Sequence, residues 1–312
     1  MRFWGLDWNE ALCFGLGRGL GAFYLSNESF SPSRWLMVRA ADLEKHFFES
    51  LGIPFEWKQA SDDNAAWQMT KEDIDAGLPV LLQTDIYYID YYNSKTHFNR
   101  HTVVQWGYDE KAGRAYLSDT GYEELMEIPL ESLIRARSSE YPPGPVRYDW
   151  FPVKAPDSSR SIEEAALDAV RKGAFQLTGP PADYPIRLGL NALAELARDL
   201  PSWEDAKDWK WSARFSYQVI EKRGTGGSAF RKMYAEFLDQ VEEMNPSIGK
   251  LELSEKMRTI AQTWSELAAL FKKISEMTRP GRFAETASLA RKLYELESDY
   301  CKTVIKEIPP AN

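Results

Sequence analysis

Cysteine and histidine are the scarce residues of this chain. Two cysteines, Cys13 and Cys301, occur in 312 residues. They lie far apart, and no cationic start leads into an apolar run, so neither a disulfide framework nor secretion is indicated and the expected compartment is the cytoplasm. No apolar stretch approaches the roughly 20 residues that span a bilayer. Clusters of Lys and Arg are also missing: the net charge is −9, which argues against nucleic acid and anionic membrane as partners and suits an electropositive or amphiphilic substrate. No repeat of fixed period and no low-complexity tract interrupts the chain.

What is present reads as two domains. A hydrophobic content of 44% and eleven tryptophans give enough apolar material for two cores with aromatic-lined interiors or a cleft. The first half mixes patterns. A helix is predicted over 6–14, with Asp7 or Asn9 as its cap, followed by a Gly-rich turn, strands at AFYL and RWLMVRA, and a helix over 42–51. PFEWKQ reads as a strand, 62–76 as a helix, and PVLLQTDIYY as a buried central strand. EELMEI and a short helix over 130–136 follow. Five prolines between Tyr141 and Ser161 surround one strand-like piece, VRYDWFPV, and place a domain boundary near 155. The predicted class is α+β: an antiparallel sheet domain over 1–155, then an all-α bundle over 156–312 with helices over 161–176, 186–200, 202–222, 229–244, 254–277 and 282–308.

The most chemically loaded stretch is HFNRHTVVQWGYDEKAGRAYLSD, residues 97–119. HTVVQWGY and RAYLSD are β-branched and aromatic, and the polar loop 109–113 between them predicts a hairpin. With Tyr108 opposite Arg114, Val103 falls opposite Asp119. His101 then becomes the diagonal neighbour of Asp119 on one face, with Cα atoms roughly 7 Å apart. The aspartate would accept Nδ1–H and leave Nε2 as a base. A slip of one residue would part the pair.

Other motifs carry a plain reading beside a functional one. GLGRGLGA contains Gly17-x-Gly19-x-x-Ala22, formally a dinucleotide fingerprint, but no strand precedes it. Gly17, Gly19 and Gly21 read as a helix end turning into a strand, or as a bare backbone lining for a cleft. His97 and His101 are four apart, yet the context is β-like and no cysteine or carboxylate cluster completes a site, so no metal is expected. His97 and His46 read as loop or surface residues. Cys13, near the end of an apolar helix face, reads as a buried thiol and only a poor nucleophile; Cys301 reads as inert. EKRGTGGSAFRKMYAEFL reads as an inter-helix turn with Ser228 capping the next helix. Its functional alternative is a loop whose amides, with Arg223 and Arg231, meet a phosphate such as that of a phosphopantetheine arm.

Taken together, NEALCFGLGRGLGAFYL, LPVLLQTDIYY, HFNRHTVVQWGYD and YLSDT resemble the N-terminal domain of the butirosin biosynthesis protein H family. RGTGGSAFRKMYAEFL and TWSELA resemble that family's C-terminal helical domain, so the resemblance spans nearly the whole chain. It implies a papain-like first domain, related to cysteine peptidases that cut double-glycine leader peptides. It also implies an acyltransferase that moves an aminoacyl group from a carrier-protein thioester to an aminoglycoside amine, with no cofactor of its own. By this resemblance His101 matches the catalytic histidine and Asp119 its orienting acid. The family's His-Cys pair starts the first helix, upstream of RFWGLDWNEAL. No residue here matches that nucleophile, so the expectation is either a start assigned too late or a member without the cysteine. Three functions follow as expectations: acyl or aminoacyl transfer in specialised metabolism, with an acyl carrier protein and a small-molecule amine as partners; a cysteine peptidase or amidase; and a non-catalytic module binding a small molecule or peptide.

Overall fold

The structure, a computed structural model, describes residues 4–141, 144–155, 161–180, 187–224 and 226–310. Pro142, Pro143 and residues 156–160 of the proline-rich segment, and the predicted helix start at Ile186, lie outside the described residues. The class is α+β, 55% helical with two antiparallel sheets. Two compact units divide the chain: residues 1–53 with 157–312, and residues 54–156.

Asn9 caps the first helix, α1 (Glu10–Leu16), by accepting the Leu12 amide at 2.9 Å, which satisfies one of the donors a helix start leaves free. Strands β1 (Leu20–Ser26) and β2 (Arg34–Arg39) form a hairpin, followed by α2 (Leu43–Ser50). The other unit begins without the strand expected at PFEWKQ; Lys58 makes only a single bridge, to Trp150. Asp62 caps α3 (Asp63–Asp75) through the Ala65 amide. Then come β3 (Val80–Thr84), 3-10 turns at Ile86–Tyr88 and Asp90–Tyr92, β4 (His101–Asp109), β5 (Arg114–Ser118), β6 (Met126–Pro129), α4 (Leu130–Arg137) and β7 (Trp150–Pro152). Strand order is β6-β5-β4-β3-β7, so the apolar run at β3 does sit inside the sheet. Val80 and Leu82 alternate onto the face that buries Val103, Ala115, Leu117, Ile128 and Trp150, as a period of two requires.

The remaining elements are α5 (Ile162–Thr178), β8 (Arg187–Leu188), α6 (Gly189–Asp199), α7 (Trp209–Glu221), α8 (Arg231–Met244), α9 (Pro246–Gly249), α10 (Leu253–Glu276) and α11 (Phe283–Glu307). β8 adds to the edge of β1, giving a sheet of order β2-β1-β8. The first 53 residues therefore fold with the helices and not with the larger sheet, which departs from a linear division at 155 and from an all-α second domain. The reason is packing: α1 lies on α8 and α5, and the β1–β2 hairpin lies on α6 and α7. Trp203 and Trp264 are buried at the centre of this unit, and Phe271 stacks on Trp203.

Candidate functional site

Backbone register decides whether His101 can meet Asp119. The hairpin closes with Asp109 opposite Arg114, one residue out of the predicted pairing, around a turn in which Asp109 accepts the Ala112 amide. Carried unchanged to the site, that register would place the two side chains on opposite faces. A β-bulge between Gln105 and Gly107 takes up the extra residue, Trp106, and Val104 then pairs with Ser118. Extended by one step, that register sets Val103 against Asp119, as the sequence predicts. The Trp106 indole donates to Ser118 Oγ at 2.8 Å and pins the bulge.

His101 Nε2 lies 2.7 Å from Asp119 Oδ1; the aspartate side chain is fully buried while the imidazole keeps 17% of its surface. An ionised carboxylate only accepts, so Nε2 is the donor to Asp119, and in the neutral ring Nδ1 holds the lone pair. This reverses the expected roles of the two ring nitrogens. Asp119 is held from other directions as well: Tyr91 donates to Oδ2 at 2.6 Å and the Thr120 amide to Oδ1 at 2.6 Å. The Tyr92 hydroxyl is 3.4 Å from His101 Nε2, and its ring meets the imidazole edge to face. Tyr122 closes the cluster against both tyrosine rings. Burial, then the neighbouring Asp119, pushes both the Tyr91 and the Tyr92 phenol upward, so both keep their protons, and Tyr91 donates its own to Asp119.

A second histidine–carboxylate pair stands at the other end of the same loop. Asp85 is fully buried and accepts from His97 Nδ1 (2.6 Å), Ser139 Oγ (2.7 Å), and the amides of Phe98 (3.0 Å) and Tyr87 (3.1 Å). Burial alone would raise this carboxyl, but the four hydrogen bonds outweigh it and hold the group below its ordinary value. The His97 ring is stacked between Tyr87 and Tyr141, at 4.0 and 3.9 Å between centroids. His97 is thus no free loop residue. Its signal in the sequence was Asp85 itself, a carboxylate at the end of the apolar run PVLLQTDIYY, where burial demands partners. Tyr91 and Tyr92 gave no such signal.

Elsewhere the singled-out residues serve packing. A Cβ on Gly17 would lie 2.9 Å from the Leu43 carbonyl, one on Gly19 2.3 Å from the Phe14 ring and one on Gly21 2.6 Å from the Ala40 amide. The close approach expected at these glycines is made by the protein's own chain. The positive φ of the turn falls on Arg18, not on any of the three. Arg231 is fully buried: it pairs with Glu297 and donates to the carbonyls of Val38, Gly21 and Ala229, over the Trp264 ring. No donor of that kind is turned outward to a phosphate. Arg223 bonds Gln218 and lies over Phe215. Ser228 does not cap α8; its hydroxyl meets Ser265, and α8 starts at Arg231. Burial raises the Cys13 thiol, and burial with Glu297 pushes Cys301 up to about 12. His46 lies on α2, lowered by burial and then by Arg18. Among the described residues, no group of three or more His, Cys, Asp or Glu is placed to hold a metal ion, and no helix is long and apolar enough to cross a membrane.

No curated protein matches the chain. Residues 1–120 match the family described as Butirosin biosynthesis protein H, N-terminal, which contains the whole His101–Asp119 pair, and residues 131–304 match the Domain of unknown function (DUF4872). The chain belongs to the butirosin biosynthesis protein H family, with that N-terminal domain followed by the DUF4872 region.

Proposed function

We propose that this protein transfers an acyl group from the thioester of a phosphopantetheinyl carrier protein to an amine, on a papain-like arrangement in which His101 is the base and Asp119 orients it. The observation that carries this reading is the buried Asp119 carboxylate on His101 Nε2, which leaves Nδ1 unprotonated on a ring that is still partly exposed. In the transfer step the amine nitrogen attacks the acyl carbonyl, Nδ1 takes the proton the nitrogen loses, and the C–S bond breaks. The departing thiolate then takes the proton from Nδ1. The leaving sulfur is the carrier's own in direct transfer, or a protein thiolate where an acyl-enzyme forms first. The acidic chain, net −9, suits a polycationic acceptor, and a carrier-protein donor places the reaction in the cytoplasm.

The test is incubation of the full chain with an acyl-carrier thioester and a panel of polyamines, followed by mass spectrometry of both protein and amine. Acylated amine is expected, falling by about a hundredfold or more in His101→Ala. An adduct on the protein would mark the two-step route. Absence of both acylated amine and adduct overturns the proposal, and cleavage of a double-glycine leader peptide with no carrier would replace it by a peptidase.

A second reading, a binding module without catalysis, is favoured by one observation. Residues 54–156, which carry His101 and Asp119, contain no cysteine, and burial raises both thiols of the chain. In that case His101→Ala leaves ligand affinity unchanged.

A further inference from the structure

Residues 85–100 form a loop tied at both ends to histidine–carboxylate pairs. Its base is closed by Asp85, which joins the start of the loop to its far side through His97 and the Phe98 amide, and to the second residue after α4 through Ser139. Its middle is anchored by Ile89, fully buried in the core of the sheet between the two 3-10 turns. Its crown carries Tyr91 and Tyr92 onto Asp119 and His101. The two strand ends that carry the loop are joined in one ladder, since Thr84, the residue before Asp85, pairs with His101 and its hydroxyl donates to the His101 carbonyl.

We propose that Tyr91 is a positioning residue for the His101–Asp119 pair, delivered to Asp119 Oδ2 by a loop that the Asp85–His97 pair locks. The hydroxyl occupies one carboxylate oxygen and spreads its negative charge, so Oδ1 faces His101 in one orientation and binds the imidazolium less tightly than an unshared carboxylate does. Only the catalytic use of this arrangement rests on the acyl-transfer reading. Among the described residues, Asp119 from the end of β5 and Tyr92 from the loop meet the His101 ring, with Tyr91 on the far oxygen of Asp119 and Tyr122 behind the two tyrosines.

The chain has three histidines, so each can be titrated separately by proton–carbon NMR of its ring on the full-length protein. In Tyr91→Phe the His101 midpoint is expected to rise by about half a unit or more, with that of His97 unchanged; an unmoved His101 midpoint overturns the proposal. In an Asp119→Asn background the same substitution is expected to shift nothing further, and a further shift of equal size would overturn action through the carboxylate. Should Tyr91→Phe fail to fold, 3-fluorotyrosine at position 91 keeps the hydroxyl and strengthens it as a donor. The midpoint must then fall, and an unchanged value is again fatal. Asp85→Asn is expected to move His101 in the same direction as Tyr91→Phe; no movement removes the locking role from Asp85. Because no substrate is used, shifted midpoints without any acyl transfer would sink the proposed function and leave this one standing, and activity with unmoved midpoints would do the reverse.

Discussion

Asp85 and Asp119 show how one residue type serves two purposes a short distance apart in sequence. Both are buried carboxylates on an imidazole, but Asp119 takes Nε2 of His101 and Asp85 takes Nδ1 of His97, so opposite nitrogens keep the lone pair. Asp85 also carries a pH consequence. Its carboxyl sits below the about 3.9 of an unfolded aspartate. It therefore adds stability that is fully present above that value and is lost as pH falls through the lowered native one. Asp85→Asn is expected to cost about 2–4 kcal/mol at neutral pH, through weakened charge-assisted hydrogen bonds, and to flatten the acid side of the stability curve. Urea unfolding followed between pH 3 and 7 measures both; parallel curves for the two proteins would remove Asp85 as the cause. The Asp119 partner was legible because a hairpin and its faces follow from alternation. Which nitrogen it would take was not, because ring orientation depends on Tyr91, Tyr92 and the bulge.

Among the elements, the glycine segment that runs from the end of α1 into β1 and the start of α8 are the two places where motifs with a binding alternative are filled by the protein's own packing. Gly15 faces Phe237 of α8 so closely that an added Cβ would stand 2.1 Å from the ring. Gly15→Ala is expected to cost about 1–3 kcal/mol by overpacking. The loss should be partly recovered in the double variant with Phe237→Leu, read as a shift in the thermal midpoint; additive losses would contradict a shared steric cause. Arg231 belongs with this contact set. It takes the carbonyls of Gly21 and Val38 from β1 and β2 while Glu297 of α11 balances its charge. A buried guanidinium paired in this way holds elements together and leaves no donor for a ligand. Composition marked both segments as unusual, but a glycine that admits a ligand and one that admits a phenylalanine look alike in sequence.

At the scale of the whole molecule, the two compact units are not consecutive halves. Residues 54–156 contain a five-stranded sheet with its own core and both histidine–carboxylate pairs. A fragment of these residues is expected to melt cooperatively, with the His101 titration of the full chain. A fragment of 156–312, the division suggested by the proline-rich segment, lacks α1 and the β1–β2 hairpin and leaves Phe237 and Arg231 uncovered. It is expected to aggregate or melt without cooperativity. Circular dichroism and sedimentation check both, and a well-folded 156–312 would show that the first 53 residues are dispensable to the helices.

The amino-acid sequence by itself determined the α+β class, nearly every helix and strand, and the shared face of His101 and Asp119. These depend on local periods of 2 and 3.6 and on caps such as Asn9 and Asp62. Only the tertiary structure decided the rest: the bulge at Trp106 that restores the register, the Tyr91 hydroxyl on Asp119, the Asp85–His97 lock, and the return of the first 53 residues to the helices. Each of these joins residues distant along the chain, where burial and close packing, not local pattern, select the partner.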